Sequence, residues 1–297
     1  MAEVNKLGFG CVALTTYNFK RDALNMLELA FSNGITYFDT APLYGRGYSE
    51  KILGSFIKNK RDKVCITTKV GLGLLNQSKL PSSLALPIYA IKKKIHGKKT
   101  SNAINTTIPK PVTYREISKD YVQQSLIASL KNLQTTYIDN YFLHEALPSF
   151  LTVEATKFLL EQKKQGVIKN IGIAAGYTSV DLLNTNDILD WDYLQYENNF
   201  FYNSSNIIEE KKQIKHNYHS VLKFLALAKS NQFAKPQMVG MLLNAAVRKN
   251  NSGGVVLFST TKKQSLISNI KEFENANKFS DEELSKLIVS FYSTNQS

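Results

Sequence analysis

The sequence predicts a parallel (β/α)8 barrel, the TIM-barrel form of the α/β class, with an active site at the rim where the strands end. Three observations favour this fold. Short β-like runs alternate with amphipathic helical patterns, which is typical of a parallel sheet with helical crossovers. Eight candidate strands can be counted, and several ionisable side chains stand at strand ends. The length of 297 residues, 43% of them hydrophobic, suits one barrel domain over residues 1–297.

The eight candidate strands are short apolar runs. In chain order they cover residues 7–14, 35–38, 64–70, 137–143, 167–174, 191–197, 218–224 and 255–258. The seventh strand is the least regular, because it lies in the region 203–251, where a charged helix around 207–215 is also predicted.

The helices are predicted from apolar residues repeating with a helical period. They cover residues 21–33, 49–58, 152–165 and 237–248. Another helix begins after Ser118, a good N-cap residue, and a last one begins at the capping box of Ser280 and Glu283. Gly34 and Gly166 follow two of the helices, where a left-handed residue is needed to end them.

Residues 72–116 form a long irregular stretch, which we interpret as an active-site loop. It contains a basic cluster at 92–99, and the net charge of the chain is +13. Such a balance can indicate nucleic acid or a membrane surface as a partner. The remaining basic residues are scattered and no nucleic-acid-binding motif is present, so we predict neither partner. Association through the cluster stays an alternative, to be tested by its salt dependence.

Composition also bears on location and metal binding. Cys11 and Cys65 lie in apolar runs and are predicted to be reduced core thiols. The first eight residues lack an apolar signal core, and no run is long enough to cross a bilayer, so we expect a cytoplasmic protein. The four histidines show no spacing typical of ligands, so no metal is predicted.

Four ionisable side chains stand at or just after the ends of successive candidate strands. Asp39 follows the second strand, Tyr44 lies five residues further on, Lys69 ends the third strand and His144 follows the fourth. Each has an ordinary explanation when taken alone, although a lysine within an apolar run requires a partner. Because active sites of α/β barrels are built at this rim, the four together predict a catalytic site.

The segment 34–45, which reads GITYFDTAPLYG, resembles the signature of the aldo-keto reductases. Further matches lie at residues 7–10, 49–50, 53–54, 67–69, 125–130, 137–139, 143–144, 166–173 and 195–198. The resemblance implies an enzyme that transfers a hydride between a nicotinamide cofactor and a small-molecule aldehyde, ketone or aldose. Ala174, Ala175 and Gly176 after the fifth strand are similar to the sugar-dehydrogenase-like branch.

The resemblance also implies a role for each of the four residues. Tyr44 is the general acid or base at the substrate oxygen, and the Lys69 cation is expected to lower the pKa of Tyr44 from its usual value near ~10. Asp39 pairs with Lys69 and holds it in place. His144 hydrogen-bonds the carbonyl oxygen. The cofactor supplies the hydride.

Nine residues are implied to bind the cofactor: Gly10, Gln195, His219, Ser220, Leu222, Ser259, Thr260, Lys262 and Asn269. Gln195 matches the glutamine that contacts the nicotinamide amide, whereas Ala174 and Ala175 replace a Ser-Asn pair that commonly binds it. His219 takes the place of an aromatic residue that stacks on the nicotinamide, with an exposed loop histidine as the alternative.

The phosphate contacts of the cofactor are implied by the segment after the eighth strand. Ser259 and Thr260 are placed to meet phosphate, and Asn269 to face the adenine. Lys262 is placed to neutralise a 2′-phosphate, which favours NADP. Ser265 replaces the arginine often found at this phosphate, which leaves NAD as the alternative. NADP is predicted because of Lys262.

A second hypothesis is a non-catalytic or regulatory barrel that binds cofactor and acts through a protein partner. The altered residues after the fifth strand favour it, and the retained set of Asp39, Tyr44, Lys69 and His144 argues against it. The sequence specifies neither the substrate nor the direction of the reaction nor the oligomeric state.

Overall fold

Eight parallel strands form a closed barrel in which spatial order follows sequence order. The predicted (β/α)8 barrel is thereby confirmed. The computed structural model describes residues 4–72, 116–176, 191–201, 214–250 and 253–293. Its strands are β1 (Leu7–Gly10), β2 (Tyr37–Asp39), β3 (Cys65–Val70), β4 (Ile138–His144), β5 (Ile168–Ala175), β6 (Tyr193–Glu197), β7 (Lys215–His219) and β8 (Val256–Phe258).

The described part of the chain contains seven α-helices. They are α1 (Lys20–Ser32), α2 (Tyr48–Ile57), α3 (Lys119–Leu133), α4 (Val153–Lys164), α5 (Lys235–Lys249), α6 (Lys263–Asn275) and α7 (Asp281–Ser293). The predicted caps are present. Ser118 Oγ accepts a hydrogen bond from the Tyr121 amide at 3.3 Å, and the Glu283 carboxylate accepts one from the Ser280 amide at 2.8 Å. Gly34 and Gly166 have φ angles of 90° and 76°.

The strand register brings the polar strand ends to one rim of the barrel. Asp39 is level with Thr67, and His144 is level with Ala174, which in turn pairs with Gln195. Because all eight strands are parallel, their carboxyl ends lie at the same rim. Side chains far apart in the sequence can therefore meet there.

The helices α2 and α3 pack closely against the barrel beside β3. The buried carboxylate of Glu50 accepts hydrogen bonds from Thr68 Oγ1 at 2.8 Å and from Asn132 Nδ2 at 2.9 Å. A Cβ at Gly54 would collide with the carbonyl oxygen of Asn132. Glu50 and Gly54 of the motif thus fix the packing of α2 against the strand and the next helix.

Two strand predictions need correction. The strand predicted at 7–14 ends at Gly10, and Cys11–Thr16 is a 3-10 helix. Cys11 and Leu14 are buried in that helix as well, because residues three apart share one face of a 3-10 helix.

The strand predicted at 218–224 is instead Lys215–His219. Ser220 has a left-handed φ of 59°, and its carbonyl accepts a hydrogen bond from the Lys223 amide at 3.0 Å, so the chain turns there. The apolar run that suggested a strand packs on the core from this turn. Lys215, expected in a helix, begins β7; residues 207–213 lie outside the described residues.

Other sequence predictions also fall beyond the described ranges. The predicted active-site loop lies outside them except at its two ends, and the basic cluster at 92–99 lies wholly outside. Cys11 and Cys65 are free thiols. None of the helices in the described ranges combines the length and the apolar character that a bilayer crossing would demand.

Candidate active site

A buried ion pair joins the ends of β2 and β3. Lys69 is only 1% exposed, and its Nζ lies 2.7 and 2.8 Å from the two carboxylate oxygens of Asp39 and 2.9 Å from the Thr40 carbonyl. Burial lowers the pKa of Lys69, but Asp39 and Tyr44 outweigh it and raise the pKa above its usual value. The ammonium therefore stays charged in the barrel.

Tyr44 reaches this pair from the loop after β2. It begins the 3-10 turn Tyr44–Gly47, in which Gly45 has a φ of 58° and a Cβ would collide with the Thr15 side chain. Glycine is therefore required for the turn that carries the tyrosine. Lys69 Nζ lies 5.2 Å from the centre of the Tyr44 ring.

The pKa of Tyr44 differs from the sequence prediction. Burial raises it, the charge of Lys69 and a hydrogen bond with Lys69 lower it, and Asp39 raises it, so the pKa lies above the usual 10.0. Lys69 thus has the predicted lowering effect on the pKa, but the net shift is upward. The physical reason is burial, which is the largest effect and to which the charge of Asp39 adds.

His144 ends β4 and faces Tyr44. The two ring centres are 6.0 Å apart, with the rings at 89° to each other. Burial, followed by the charges of Lys69 and His219, lowers the pKa of His144 to about 3. The imidazole is therefore neutral at physiological pH. Its buried Nδ1 has no hydrogen-bond partner among the described residues.

These four side chains line one cavity of about 360 Å³. Six of the nine predicted cofactor residues line it as well: Gly10, Gln195, His219, Ser220, Leu222 and Ser259. The strand ends thus gather candidate catalytic and cofactor residues into one space, as the rim of an α/β barrel is expected to do.

Gln195 tests whether this cavity suits a nicotinamide cofactor. The residue is 4% exposed, and its Oε1 has no hydrogen-bond partner among the described residues. A buried amide oxygen is costly unless it accepts a hydrogen bond, and a carboxamide N–H is a suitable donor. The cavity residues therefore fit the nicotinamide carboxamide.

His219 ends β7 and Ser220 follows it, and both line the cavity with Gln195. His219 Nδ1 is 2.8 Å from Ser220 Oγ. Burial lowers the pKa of His219 although Glu197 raises it, so the ring is neutral. Neutral, partly buried rings suit stacking on a flat ligand.

The other three predicted cofactor residues lie outside the lining of this cavity. Thr260 Oγ1 accepts a hydrogen bond from the Lys262 amide at 3.2 Å, in the exposed turn before α6. Asn269 lies within α6 and is 9% exposed. Their roles at the adenosine end of the cofactor stay predictions.

Two charged residues of the cavity wall were not predicted from the sequence. Glu145 follows His144, and Lys223 lies at the turn after β7, where its Nζ is 2.7 Å from Glu197 Oε1. Glu145 could have been proposed as a site residue because it follows the candidate histidine in the sequence. That its side chain faces the cavity could not have been predicted, because this orientation depends on a left-handed backbone.

The fold and the rim cavity define an α/β-barrel protein whose site is assembled from strand ends. The family model described as "Aldo/keto reductase family" matches residues 6–285. The chain belongs to the aldo-keto reductase family, in agreement with the resemblance of its motifs.

Individual relatives agree with this assignment. "Probable aldo-keto reductase 1" of Glycine max is 32% identical over 177 residues, which cover 58% of this chain and 42% of that protein. "D-threo-aldose 1-dehydrogenase" of Pseudomonas sp is 31% identical over 160 residues, 52% of this chain and 44% of that protein. The matches thus span less than half the length of these relatives.

A solved structure shares the fold over nearly the whole chain. It is an aldo-keto reductase from Klebsiella pneumoniae in complex with NADPH. The TM-score is 0.64 at 16% identity, and the match covers 97% of this chain and 91% of that one.

Proposed function

We propose that this protein is an NAD(P)-dependent oxidoreductase that transfers a hydride between a nicotinamide cofactor and an aldehyde, ketone or aldose. The observation that carries the proposal is the buried Asp39–Lys69 pair beside Tyr44 and a neutral His144, all open to one cavity. Family membership supports it, as do relatives named as an aldose dehydrogenase and as a reductase in complex with NADPH.

Tyr44 is the proton donor of carbonyl reduction. When bound, the cofactor supplies the hydride to the carbonyl carbon. The Tyr44 hydroxyl gives its proton to the carbonyl oxygen, and the product is an alcohol. The raised pKa keeps Tyr44 protonated at neutral pH, so the donor form is always ready. In alcohol oxidation the Tyr44 phenolate takes the proton back.

Lys69 and Asp39 act behind the tyrosine. The Lys69 ammonium stabilises the phenolate that forms when Tyr44 loses its proton. Asp39 holds the ammonium with two contacts, at 2.7 and 2.8 Å, so that its position is fixed before the reaction.

His144 orients the carbonyl group. Its imidazole is neutral, so one ring nitrogen donates a hydrogen bond and the other accepts one. A neutral donor binds the carbonyl oxygen without adding a second positive charge beside Lys69.

The cofactor residues divide into two groups. Gln195, His219 and Ser220 are assigned to the nicotinamide end, and Gly10, Leu222 and Ser259 line the cavity with them. Ser259, Thr260 and Lys262 precede α6 and are assigned to the cofactor phosphates, because a helix N-terminus favours anions, while Asn269 within α6 is assigned to the adenine. NADP is the proposed cofactor, with NAD as the alternative.

The test compares Tyr44→Phe with the wild type. NADPH binding is followed by fluorescence, and turnover is measured with a panel of aldehydes and sugars. We expect unchanged cofactor binding and a loss of turnover of at least about 10²-fold. Tyr137→Phe is the matched control, because Tyr137 precedes β4 at the opposite end of the barrel, and it keeps full turnover.

The non-catalytic barrel remains the second candidate. The methyl side chains of Ala174 and Ala175 at the end of β5, which leave fewer polar contacts for a cofactor, favour it. Cofactor binding with equally negligible turnover in the wild type and in Tyr44→Phe would support this candidate and contradict the enzyme.

A further inference from the structure

We propose that Tyr17 is a positioning residue that couples the binding of the cofactor phosphates to the placement of Tyr44. The inference rests on the proposed function, in which residues 259–262, called the phosphate turn below, hold the phosphates and Tyr44 donates the proton. Three contacts carry the inference. They are made by the 3-10 helix Cys11–Thr16 and by Tyr17, which follows it.

The first contact joins Tyr17 to the phosphate turn. The Tyr17 hydroxyl donates a hydrogen bond to the Thr261 carbonyl at 2.9 Å. The Tyr17 ring is partly buried and packs on the hydrophobic core, so the hydroxyl is held in place. Burial, followed by the charge of Asp22, raises the pKa of Tyr17, so the hydroxyl keeps its proton and remains a donor.

This contact fixes the backbone of the phosphate turn before a ligand arrives. The Thr261 carbonyl accepts from Tyr17, and the Lys262 amide donates to Thr260 Oγ1 at 3.2 Å. A carbonyl oxygen repels a phosphate whereas an amide hydrogen attracts it, so phosphate affinity depends on the orientation of the turn. A turn that is already ordered also loses less entropy when the phosphate binds.

The second contact joins the same 3-10 helix to the turn that carries Tyr44. A Cβ at Gly45 would collide with the Thr15 side chain, whose methyl carbon is the nearest atom. The Thr15 side chain therefore lies directly against the Gly45 backbone, one residue after the catalytic tyrosine. Arg46, the next residue, has a left-handed φ of 56°, a conformation that persists only where the surrounding structure supports it.

The third contact fixes the start of the 3-10 helix. Ser49 Oγ donates a hydrogen bond to the Cys11 carbonyl at 2.9 Å and accepts one from Thr40 Oγ1 at 2.8 Å. Because the start of the helix is fixed, a displacement of the phosphate turn moves its other end, where Thr15 and Tyr17 lie. The displacement thereby reaches the turn of the catalytic tyrosine.

The experiment measures binding and chemistry separately in the wild type and in Tyr17→Phe, which loses the hydroxyl and keeps the ring. The binding probe is 2′-phospho-ADP-ribose, which is NADPH without its nicotinamide, and its Kd is measured by calorimetry. The probe for Tyr44 is the rate of a single turnover, with NADPH bound to excess enzyme and aldehyde at saturation. This rate does not include product release.

We expect Tyr17→Phe to raise the Kd of 2′-phospho-ADP-ribose by about twofold to tenfold, which corresponds to one neutral hydrogen bond. The single-turnover rate falls within the same range of about twofold to tenfold. A role in stability alone would lower the Tm and leave both the Kd and the rate of the folded enzyme unchanged.

Thr15→Ser separates the two ends of this link. It removes the methyl carbon that lies against Gly45 and keeps the hydrogen bond between Tyr17 and Thr261. The single-turnover rate therefore falls, while the Kd of 2′-phospho-ADP-ribose stays that of the wild type. In the double variant the losses of rate are less than additive, because both substitutions interrupt the same link.

Tyr137→Phe is the matched control, because the Tyr137 hydroxyl also donates to a backbone carbonyl, that of Arg61 at 3.4 Å. It leaves the Kd and the rate unchanged. An unchanged Kd in Tyr17→Phe, or a raised Kd with an unchanged rate, would overturn the inference alone. Failure of the wild type to turn over any aldehyde or sugar would refute the proposed function and the inference with it.

Discussion

At the scale of residues, the site depends on a charge that would be unstable in the barrel without its partner. Lys69 and Asp39 are both nearly inaccessible to water, with side-chain exposures of 1% and 5%. Removing one partner of a buried pair leaves the other charge without compensation. The Lys69–Asp39 pair therefore affects both the free energy of unfolding and the proton transfer by Tyr44. Substitutions in the pair can separate the effect on stability from the effect on turnover.

The prediction for the pair is a double-mutant cycle. Lys69→Met alone leaves the Asp39 carboxylate buried and lowers the free energy of unfolding by about 3–5 kcal/mol. Adding Asp39→Asn to Lys69→Met recovers much of this loss but no turnover. Urea denaturation measures the first effect and steady-state kinetics the second. Strictly additive losses of stability would show that the two side chains are not coupled.

The pKa shifts predict the pH dependence of carbonyl reduction. Tyr44 donates the proton, so activity is lost only as pH rises through its pKa, which lies above the usual 10.0. His144, with a pKa of about 3, stays neutral at all ordinary pH values. The profile of kcat/KM should therefore be flat across the neutral range. A break near pH 6.5 that disappears in His144→Gln would contradict the neutral imidazole.

At the scale of elements, the close packing of α2 and α3 holds the rim in place. Glu50 links α2 to β3 and α3 through Thr68 and Asn132, and Gly54 lets the two helices approach. Lys69 follows Thr68 in β3, so a displacement of α2 would move β3 and with it the Lys69 side chain.

Gly54→Ala tests this packing. Its Cβ would meet the backbone of α3, which cannot move aside as a side chain would. We expect a loss of about 1–3 kcal/mol in the free energy of unfolding, typical of overpacking. Gly166→Ala is the complementary variant: nothing lies within 4 Å of a Cβ there, so its loss reports the strain of a φ of 76° without a steric collision. No measurable loss in Gly54→Ala would argue against the close contact.

At the scale of the whole molecule, closure of the barrel brings strand ends together in space. Local sequence patterns predict where each strand ends, but not which side chains contact each other there. The alternation of elements predicted the fold, and strand ends predicted that Asp39, Lys69 and His144 share a rim. The inward turn of Glu145 and the early end of β7 at Ser220 could not be predicted. Both depend on left-handed backbone at residues other than glycine, which is set by tertiary contacts. The lowering effect of Lys69 on the pKa of Tyr44 was predicted, whereas the larger effect of burial was not, because burial depends on the closed barrel.

Cofactor binding should stabilise the whole barrel. A ligand at 100 times its Kd adds about 2.7 kcal/mol to the free energy of unfolding when it binds only the folded state. We expect the Tm to rise with NADPH and to rise less with an equal concentration of NADH. Gln195→Ala weakens both effects. A larger rise with NADH would reverse the proposed cofactor preference.

We propose that a nicotinamide cofactor bound beside Asp39, Tyr44, Lys69 and His144 transfers a hydride to a carbonyl carbon. The most direct measurement uses NADPH carrying deuterium at both positions of the nicotinamide C4, with the alcohol product analysed by mass spectrometry. The proposed function predicts one deuterium on carbon in each product molecule from the wild type, and almost no product from Tyr44→Phe. Product without deuterium, or no product from the wild type with any aldehyde or sugar of the panel, would contradict it.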